Sequence, residues 1–187
     1  MNLIKVKTFS FLALVLVLLT AQTQPAKLKK VKINKTITVS LPDEFEVMPD
    51  EGIAAKYPAA RKPIAAFVSK NGQVDFVVSS KHSPFHKDGL DVMQKVYRAS
   101  IMSMYTDVKF IRDEIKTINK QDYIVFEFTS EVRDESTSGR APVRKYSIAQ
   151  YTILKGELTI FTFHAPQMMM KQWQPIANEV MNSIKVK

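Results

Sequence analysis

Apolar and polar residues alternate in several short segments of the chain, and this period of two indicates β-strands. The segment KTITVSLP places every second residue on one apolar side: Ile37, Val39 and Leu41. Residues 64–81, IAAFVSKNGQVDFVVSSK, contain two such runs around Asn71-Gly72, a dipeptide that accepts the positive φ angles of a tight turn. The pattern therefore predicts one strand followed by a β-hairpin.

Two segments have the spacing of three and four residues that is typical of an amphipathic helix. Residues 88–106 carry one apolar stripe: Leu90, Met93, Tyr97, Ile101 and Met104. Residues 168–184 carry a second one: Trp173, Ile176, Ala177, Val180, Met181 and Ile184. Proline is compatible with a helix only in its first turn, so Pro175 predicts an effective start near Lys171 or Gln172.

Four strands are predicted between these helices. DVKFIRDEIKTI leads through Asn119-Lys120 into DYIVFEFTSEV, and KYSIAQYTIL turns at Lys155-Gly156 into ELTIFTFH. Ile124, Phe126 and Phe128 share one side of their strand, while Glu127 and Thr129 point the other way. Because short turns join consecutive strands, the predicted fold class is α+β, an antiparallel sheet of about six to seven strands packed with two main α-helices.

The beginning of the chain has the pattern of a signal peptide. Lys5 and Lys7 precede a twelve-residue apolar run, FSFLALVLVLLT, and small and polar residues follow, so cleavage is predicted between Ala21 and Gln24. The run is shorter than the roughly 20 residues that span a bilayer. An uncleaved anchor is the alternative, but lysines on both sides of the run fit neither membrane orientation well.

The domain prediction follows from this leader. Residues 1–23 form the signal peptide, residues 24–35 a basic mature N-terminal segment, and residues 36–187 a single domain. The protein is thus expected to be exported, to the periplasm or the medium. The chain has no cysteine, which excludes disulfides, thiolate chemistry and a lipid-anchored form.

The formal net charge of +9 favours anionic partners, such as phosphate-rich surfaces, acidic proteins or nucleic acid. Much of this charge lies in KLKKVKINK, residues 27–35. A run of this kind is more often a solvated segment than a dedicated binding arm, and we expect the former here.

Three segments carry a resemblance to a known family: ITVSLPDEF, FIRDEIKTINKQDYIVFEF and LTIFTFHAPQMMMKQWQPIANEVMNSIKV. They resemble the PsbP-like family, which includes photosystem II extrinsic subunits, the Ran-binding Mog proteins and envelope proteins of the DcrB type. The resemblance extends over most of the chain from Lys35, except that the Asn119-Lys120 turn lacks the glycine that such proteins often have. It implies a PsbP-like sandwich and roles in binding, assembly and chaperoning.

The sequence contains no recognisable catalytic motif. Its five glycines are too dispersed for a nucleotide loop, and no serine lies in a nucleophile-elbow pattern. We therefore predict a protein that is not an enzyme and that needs no cofactor.

The three histidines are candidate metal ligands. His82 and His86 follow one predicted strand, and His164 ends another. They would meet at one rim of the sheet if the two strands ran in the same direction, and with Asp88 they would suit zinc or copper. The alternative is three unrelated loop histidines.

The stretch FHAPQMMMKQW, residues 163–173, raises a second metal hypothesis, because thioethers bind Cu(I). Consecutive helical residues point about 100° apart, so three methionines in a row cannot bind one ion. Met169 and Met170 extend the apolar stripe of the last helix and are predicted to belong to the core. Only His164 and Met168 remain as candidates.

The longest connection between strands is the polar loop of residues 130–145. It holds four basic residues that we predict to bind a partner, although a mobile hairpin is the alternative: Arg133, Arg140, Arg144 and Lys145. Three acidic residues accompany them: Glu131, Asp134 and Glu135.

The sequence thus predicts an exported, non-enzymatic binding or accessory protein of the cell envelope, chaperone-like in character. Its partner would be a protein or another anionic component of the envelope, with no nucleic acid and no membrane contact beyond the uncleaved signal peptide. We expect a monomer. The alternative is a metal-binding envelope protein that uses His82, His86 and His164.

Overall fold

The computed structural model describes residues 27–58, 62–133 and 141–187. The predicted signal peptide and Arg140 lie outside the described residues. The described strands are β1 (Leu28–Lys32), β2 (Ile37–Pro42), β3 (Phe45–Val47), β4 (Ala65–Ser69), β5 (Asp75–His82), β6 (Asp107–Ile118), β7 (Gln121–Val132), β8 (Val143–Leu154), β9 (Glu157–Pro166) and β10 (Lys185–Val186). The α-helices are α1 (Asp50–Lys56), α2 (Leu90–Met104) and α3 (Met170–Asn182).

Seven strands form the main sheet, in the order β3-β4-β5-β9-β8-β7-β6, and every neighbouring pair is antiparallel. This confirms the predicted α+β class. The hairpin turns also lie where the sequence predicts them. Asn119 and Lys120 have φ angles of 49° and 69°, and Lys155 and Gly156 have 52° and 81°. These paired positive angles match the twist of two-residue hairpin turns.

Both faces of the main sheet are covered. Helix α3 packs on one face, where its Trp173 contacts the ring of Phe163 at 5.9 Å between centroids. Helix α2 packs on the other face, where Tyr97 stacks on Tyr151 at 4.9 Å. Strand β8 is consequently buried through eight consecutive residues, 146–153, instead of alternating between core and solvent.

A second, three-stranded sheet has the order β1-β2-β10 and packs on the same face as α3. Strand β2, the first predicted strand, lies at its centre rather than in the main sheet. Five residues of the basic segment 24–35 form β1, which pairs with β2 along its whole length. Leu28, Val31 and Ile33 pack against the core, and the lysines of β1 remain exposed.

Helix α3 begins at Met170, one turn of 3₁₀-helix after Pro166, so Pro175 is its sixth residue and not in the first turn as predicted. Proline cannot donate to the carbonyl group four residues earlier, which belongs to Lys171. Both residues are exposed, so water can hydrate that carbonyl group. None of the helices in the described part of the chain combines the length and the hydropathy that a membrane span requires.

Candidate functional site

A cleft of about 610 Å³ opens at one rim of the main sheet. Strand β5 begins at this rim, and its antiparallel neighbour β9 ends there. The end of α1 and Tyr105, which follows α2, also line the cleft, together with the first residues of β8. The cleft is therefore built from segments that are far apart in the sequence.

Three polar residues form a row on the sheet beneath this cleft. Asp75 pairs with His164 across β5 and β9, and His164 pairs with Ser147 across β9 and β8. Direct partners on neighbouring strands share one face of a sheet. The Ser147 hydroxyl oxygen lies 2.8 Å from Nδ1 of His164, which is hydrogen-bonding distance.

Asp75 is only 5% exposed, and its carboxylate is bound by the end of α1. The Tyr57 hydroxyl donates to Oδ1 at 2.6 Å, and Nζ of Lys56 donates to Oδ2 at 3.2 Å. Burial raises the pKa of Tyr57, and the adjacent Asp75 carboxylate raises it further. The carboxylate thus serves to hold α1 on the sheet, with its charge balanced by Lys56.

The row contains the residue types of a Ser-His-Asp triad without the geometry of one. Ser147 is 1% exposed, so a substrate cannot reach its hydroxyl group. A triad also needs a hydrogen bond from the carboxylate to the imidazole. Among the hydrogen bonds of the described residues, those of Asp75 go to Tyr57 and Lys56, and none joins it to His164.

The pKa of His164 lies below its ordinary value, chiefly because burial disfavours the imidazolium form. The Asp75 carboxylate raises this pKa, while the ammonium groups of Lys145 and Lys56 lower it. The imidazole is accordingly neutral at pH 7. An anion that entered the cleft would favour the protonated form.

Two of the four predicted partner-binding residues, Arg144 and Lys145, line the cleft. Arg133 lies at the other end of the same loop, and it is joined to Arg144 through Glu131. Each guanidinium group donates to one carboxylate oxygen of Glu131 at 2.8 Å. Both bonds lower the pKa of Glu131, and the bond from Arg144 has the larger effect. Glu131 therefore fixes both arginines at the base of the loop.

The structure does not bring His82 and His164 together. Strands β5 and β9 run in opposite directions, so the residues at their ends lie at opposite rims, whereas the metal hypothesis requires parallel directions. His82 pairs with Glu157, seven ladder positions from the Asp75–His164 pair, which corresponds to about 23 Å. His86 is exposed in the loop that follows His82.

Metal ligands are not gathered elsewhere in the described part of the chain either. No group of three or more His, Cys, Asp or Glu side chains there is placed to hold an ion. Met168 is 93% exposed, and Met169 and Met170 pack against the core as predicted. The histidines therefore do not share one site, and the three methionines divide between solvent and core.

Sequence reasoning missed Tyr57, Asp75, Tyr105 and Ser147 as residues of this site. One signal was available, because Asp75 interrupts the apolar segment VDFVV. Charged residues are rarely fully buried without a partner. The partners of Asp75 lie at the end of α1, which is not one of the two helices that the sequence pattern predicts.

No protein-family model matches the chain, and no curated protein matches it. Several solved structures are similar to it. They include cyanobacterial PsbP (CyanoP) from Synechocystis, at 16% identity over 89% of this chain and 96% of that one, with a TM-score of 0.56. The Ran-binding protein Mog1p from Saccharomyces cerevisiae is similar at 10% identity over 86% and 96%, with a TM-score of 0.55.

LpqN from Mycobacterium tuberculosis, described as involved in cell envelope biogenesis, is similar at 9% identity over 88% of this chain and 92% of that one, with a TM-score of 0.50. At these identities the similarity concerns the fold alone. It confirms the fold that the sequence resemblance implies. The chain has the α+β fold of the PsbP/Mog1-like fold family.

Proposed function

We propose that this chain is a non-enzymatic accessory protein that binds an acidic segment of a protein partner in the rim cleft. The observation that carries this proposal is the pairing of Arg144 and Lys145 with tyrosine walls in one cleft of about 610 Å³. The volume lies within the range of small binding sites, roughly 300 to 1,000 Å³. It is sufficient for a few side chains of a partner.

The charges of the cleft favour an anion. Asp75 is the only acidic residue among the described residues that line the cleft. Lys56 and Tyr57 already bind its carboxylate. Lys145 makes no ion pair with a described carboxylate, and Arg144 uses only its Nε for Glu131. An incoming carboxylate can therefore bind the remaining N–H groups of Arg144 and the ammonium group of Lys145.

The walls favour a peptide over a free inorganic anion. Tyr57, Tyr105, Val143 and Pro166 provide apolar and aromatic surface beside the cations. Aromatic and arginine side chains are the residues that most often dominate protein interfaces. The similarity in fold to Mog1p, a Ran-binding protein, also supports a protein partner.

We further propose that the protein is exported and works in the cell envelope, not anchored by lipid. The signal-peptide pattern of residues 1–23 supports export. The similarity in fold to LpqN, which is described as involved in envelope biogenesis, agrees with this location. Cell fractionation with detection of the processed chain tests it.

His164 offers a local probe of binding, because it lines the cleft, whereas His82 and His86 are not among the described lining residues and His82 ends β5 at the opposite rim. A hexaglutamate peptide is titrated into the labelled full chain, and the three imidazole signals are followed by NMR at several pH values. Binding in the cleft should raise the pKa of His164 and leave the signals of the other two unchanged. Peptide binding that leaves His164 unaffected contradicts the proposal.

The double variant R144Q/K145Q tests the two cations directly. It should weaken hexaglutamate binding at least tenfold, because each close ion pair contributes on the order of 1 kcal/mol or more in a partly desolvated site. The matched control K95Q/K109Q removes two exposed lysines from elsewhere, with the same loss of net charge. Equal weakening by the two variants would indicate only a general charge effect.

A further inference from the structure

A second basic surface lies on the three-stranded sheet, on the opposite side of the main sheet from the cleft. The segments that form this sheet and its ends contain seven lysines: Lys27, Lys29, Lys30, Lys32, Lys35, Lys185 and Lys187. The same segments, residues 27–43 and 184–187, contain one acidic residue, Asp43. Two parts of the chain that are about 150 residues apart thus contribute to one concentration of positive charge.

The strand register places three of these lysines in two adjacent rows on the outer face of the sheet. Strand β2 turns alternate residues inward to the core: Ile37, Val39 and Leu41. Thr38 and Ser40 therefore face outward. Lys32 and Lys185 pair with Thr38 from its two sides, and Lys30 pairs with Ser40. Direct cross-strand partners share a face, so all three ammonium groups extend from the outer surface.

These charges are close enough to repel one another. Neighbouring strands are about 4.8 Å apart, so Lys32 and Lys185 lie about 10 Å apart across β2, near one Debye length at 0.1 M salt. Lys27 lies 3.8 Å from the Asp43 carboxylate, and Lys29 donates to the main-chain carbonyl oxygen of Asp43. No carboxylate among the described residues pairs with Lys30, Lys32 or Lys185. Lys30, Lys32 and Lys185 therefore keep their positive charges unpaired within the described part of the chain.

We propose that this lysine face binds the surface of a bilayer that contains anionic phospholipids, a membrane contact that the sequence did not predict. The seven residues are all lysines, which act as hydrated point charges and attract a diffuse negative surface. Nucleic-acid sites depend on arginine forks and aromatic stacking, whereas the segments 27–43 and 184–187 contain neither an arginine nor an aromatic residue. No large apolar side chain of β1, β2 or β10 is exposed, so the contact is electrostatic and without insertion.

The position of the face in the chain agrees with this partner. The apolar run of the leader, residues 9–20, ends seven residues before Lys27. Seven residues span at most about 25 Å when extended. While that run is in a membrane, Lys27 at the edge of the basic surface is held within this distance of the headgroups. The inference does not depend on the cleft, because the two surfaces lie on opposite faces of the main sheet.

The test measures binding of the full chain to two kinds of vesicle, one of 30% phosphatidylglycerol in phosphatidylcholine and one of phosphatidylcholine alone. The ratio of the two affinities removes any contribution of the apolar leader, which both vesicles bind. We expect K30Q/K32Q/K185Q to lower this ratio at least tenfold, because each lysine near an anionic bilayer contributes roughly fivefold. The wild-type ratio should also fall steeply between 50 and 300 mM NaCl.

Two further variants keep the result interpretable. K70Q/K95Q/K109Q removes three exposed lysines from other surfaces and should change the ratio less than threefold. K30R/K32R/K185R keeps the charge and should bind like the wild type. The proposal is overturned if both glutamine triples lower the ratio equally, if the wild type binds the two vesicles alike, or if it binds duplex DNA but not the anionic vesicles.

Discussion

The Tyr146 hydroxyl group donates a hydrogen bond of 2.8 Å to the carboxylate of Glu127, on the face of the sheet that packs against α3. Glu127 is only 1% exposed, and it also accepts a bond of 2.7 Å from Gln174 of α3 and pairs with the guanidinium group of Arg112. Arg112 in turn donates to Asn178 of α3. One buried carboxylate thus joins three strands and a helix.

Replacing Glu127 by alanine should lower the free energy of unfolding by about 3 kcal/mol, at the low end for breaking a buried ion pair. The lower end is expected because Arg112 is partly exposed and can regain water. Tyr146 and Gln174 would lose their acceptor as well. Urea unfolding followed by circular dichroism measures the change.

The double variant R112M/E127L provides the control for this prediction. It removes both charges and fills the space with apolar side chains, which is often neutral for buried pairs. It should be more stable than the single variant E127A. A loss of less than 1 kcal/mol in E127A would mean that the carboxylate is hydrated and does not fasten α3.

Glu127 also shows how far the sequence could predict the fold. Alternation in DYIVFEFTSEV correctly separates Ile124, Phe126 and Phe128 from Glu127 and Thr129. The same pattern would normally place Glu127 in solvent, because it cannot show that α3 covers the second face of the sheet. Turns and helix stripes depend on neighbouring residues. The hairpin turns and the apolar stripe of α3 were predicted correctly, but Met104, the last residue of the predicted α2 stripe, is 58% exposed.

The sequence pattern could not predict features that depend on strand order. The direction of β9 relative to β5 separates His82 from His164 and places Asp75 beside His164. The pairing of β1 with β2 recruits the basic segment into a sheet. Both follow from contacts between residues that are distant in the chain. Of the residues that line the cleft, the sequence therefore singled out only Arg144 and Lys145, as partner-binding residues, and His164, as a metal ligand.

His164 should make stability depend on pH. Because burial holds its folded pKa below the ordinary value of 6.5, the unfolded chain binds a proton more readily. The contribution of His164 to the free energy of unfolding is fully present above pH 6.5. Stability is lost as the pH falls below 6.5 towards the folded pKa, with a slope of at most about 1.4 kcal/mol per pH unit.

The variant H164N isolates this effect, since an amide does not titrate and can still hydrogen-bond to Ser147. Lys56, Lys145 and Asp75 remain beside the amide, so their influence stays the same in both proteins. The difference in unfolding free energy between wild type and H164N, measured from pH 7.5 to 4.5, should shrink or reverse as the pH falls. A constant difference over this range would show that His164 does not titrate differently in the two states.

Two adjacent methionines should respond differently to truncation. Met169 packs against the core beneath α3, whereas Met168 is almost fully exposed. Met169→Ala should cost about 1 to 2 kcal/mol, below the range for fully buried methionine, because the side chain is only half-buried. Met168→Ala should change stability by less than about 0.5 kcal/mol. Equal costs in thermal unfolding would mean that Met169 does not stabilise the core.

The β6–β7 turn offers a stabilising substitution. Lys120 has a φ angle of 69°, a left-handed conformation that costs a residue with a Cβ roughly 1 kcal/mol. Lys120→Gly removes this strain, and the entropy that glycine gains in the unfolded chain offsets part of the benefit, so a net stabilisation of about 0.5 kcal/mol is expected. Asn119 should not be replaced, because its side-chain amide donates to the carbonyl groups of Asn182 and Ile184 at 3.1 and 2.7 Å. Asn119→Ala, the matched control, should therefore destabilise the chain by at least 1 kcal/mol in the same urea titration. If Lys120→Gly instead lowered stability, its side chain would contribute more than the strain that it imposes.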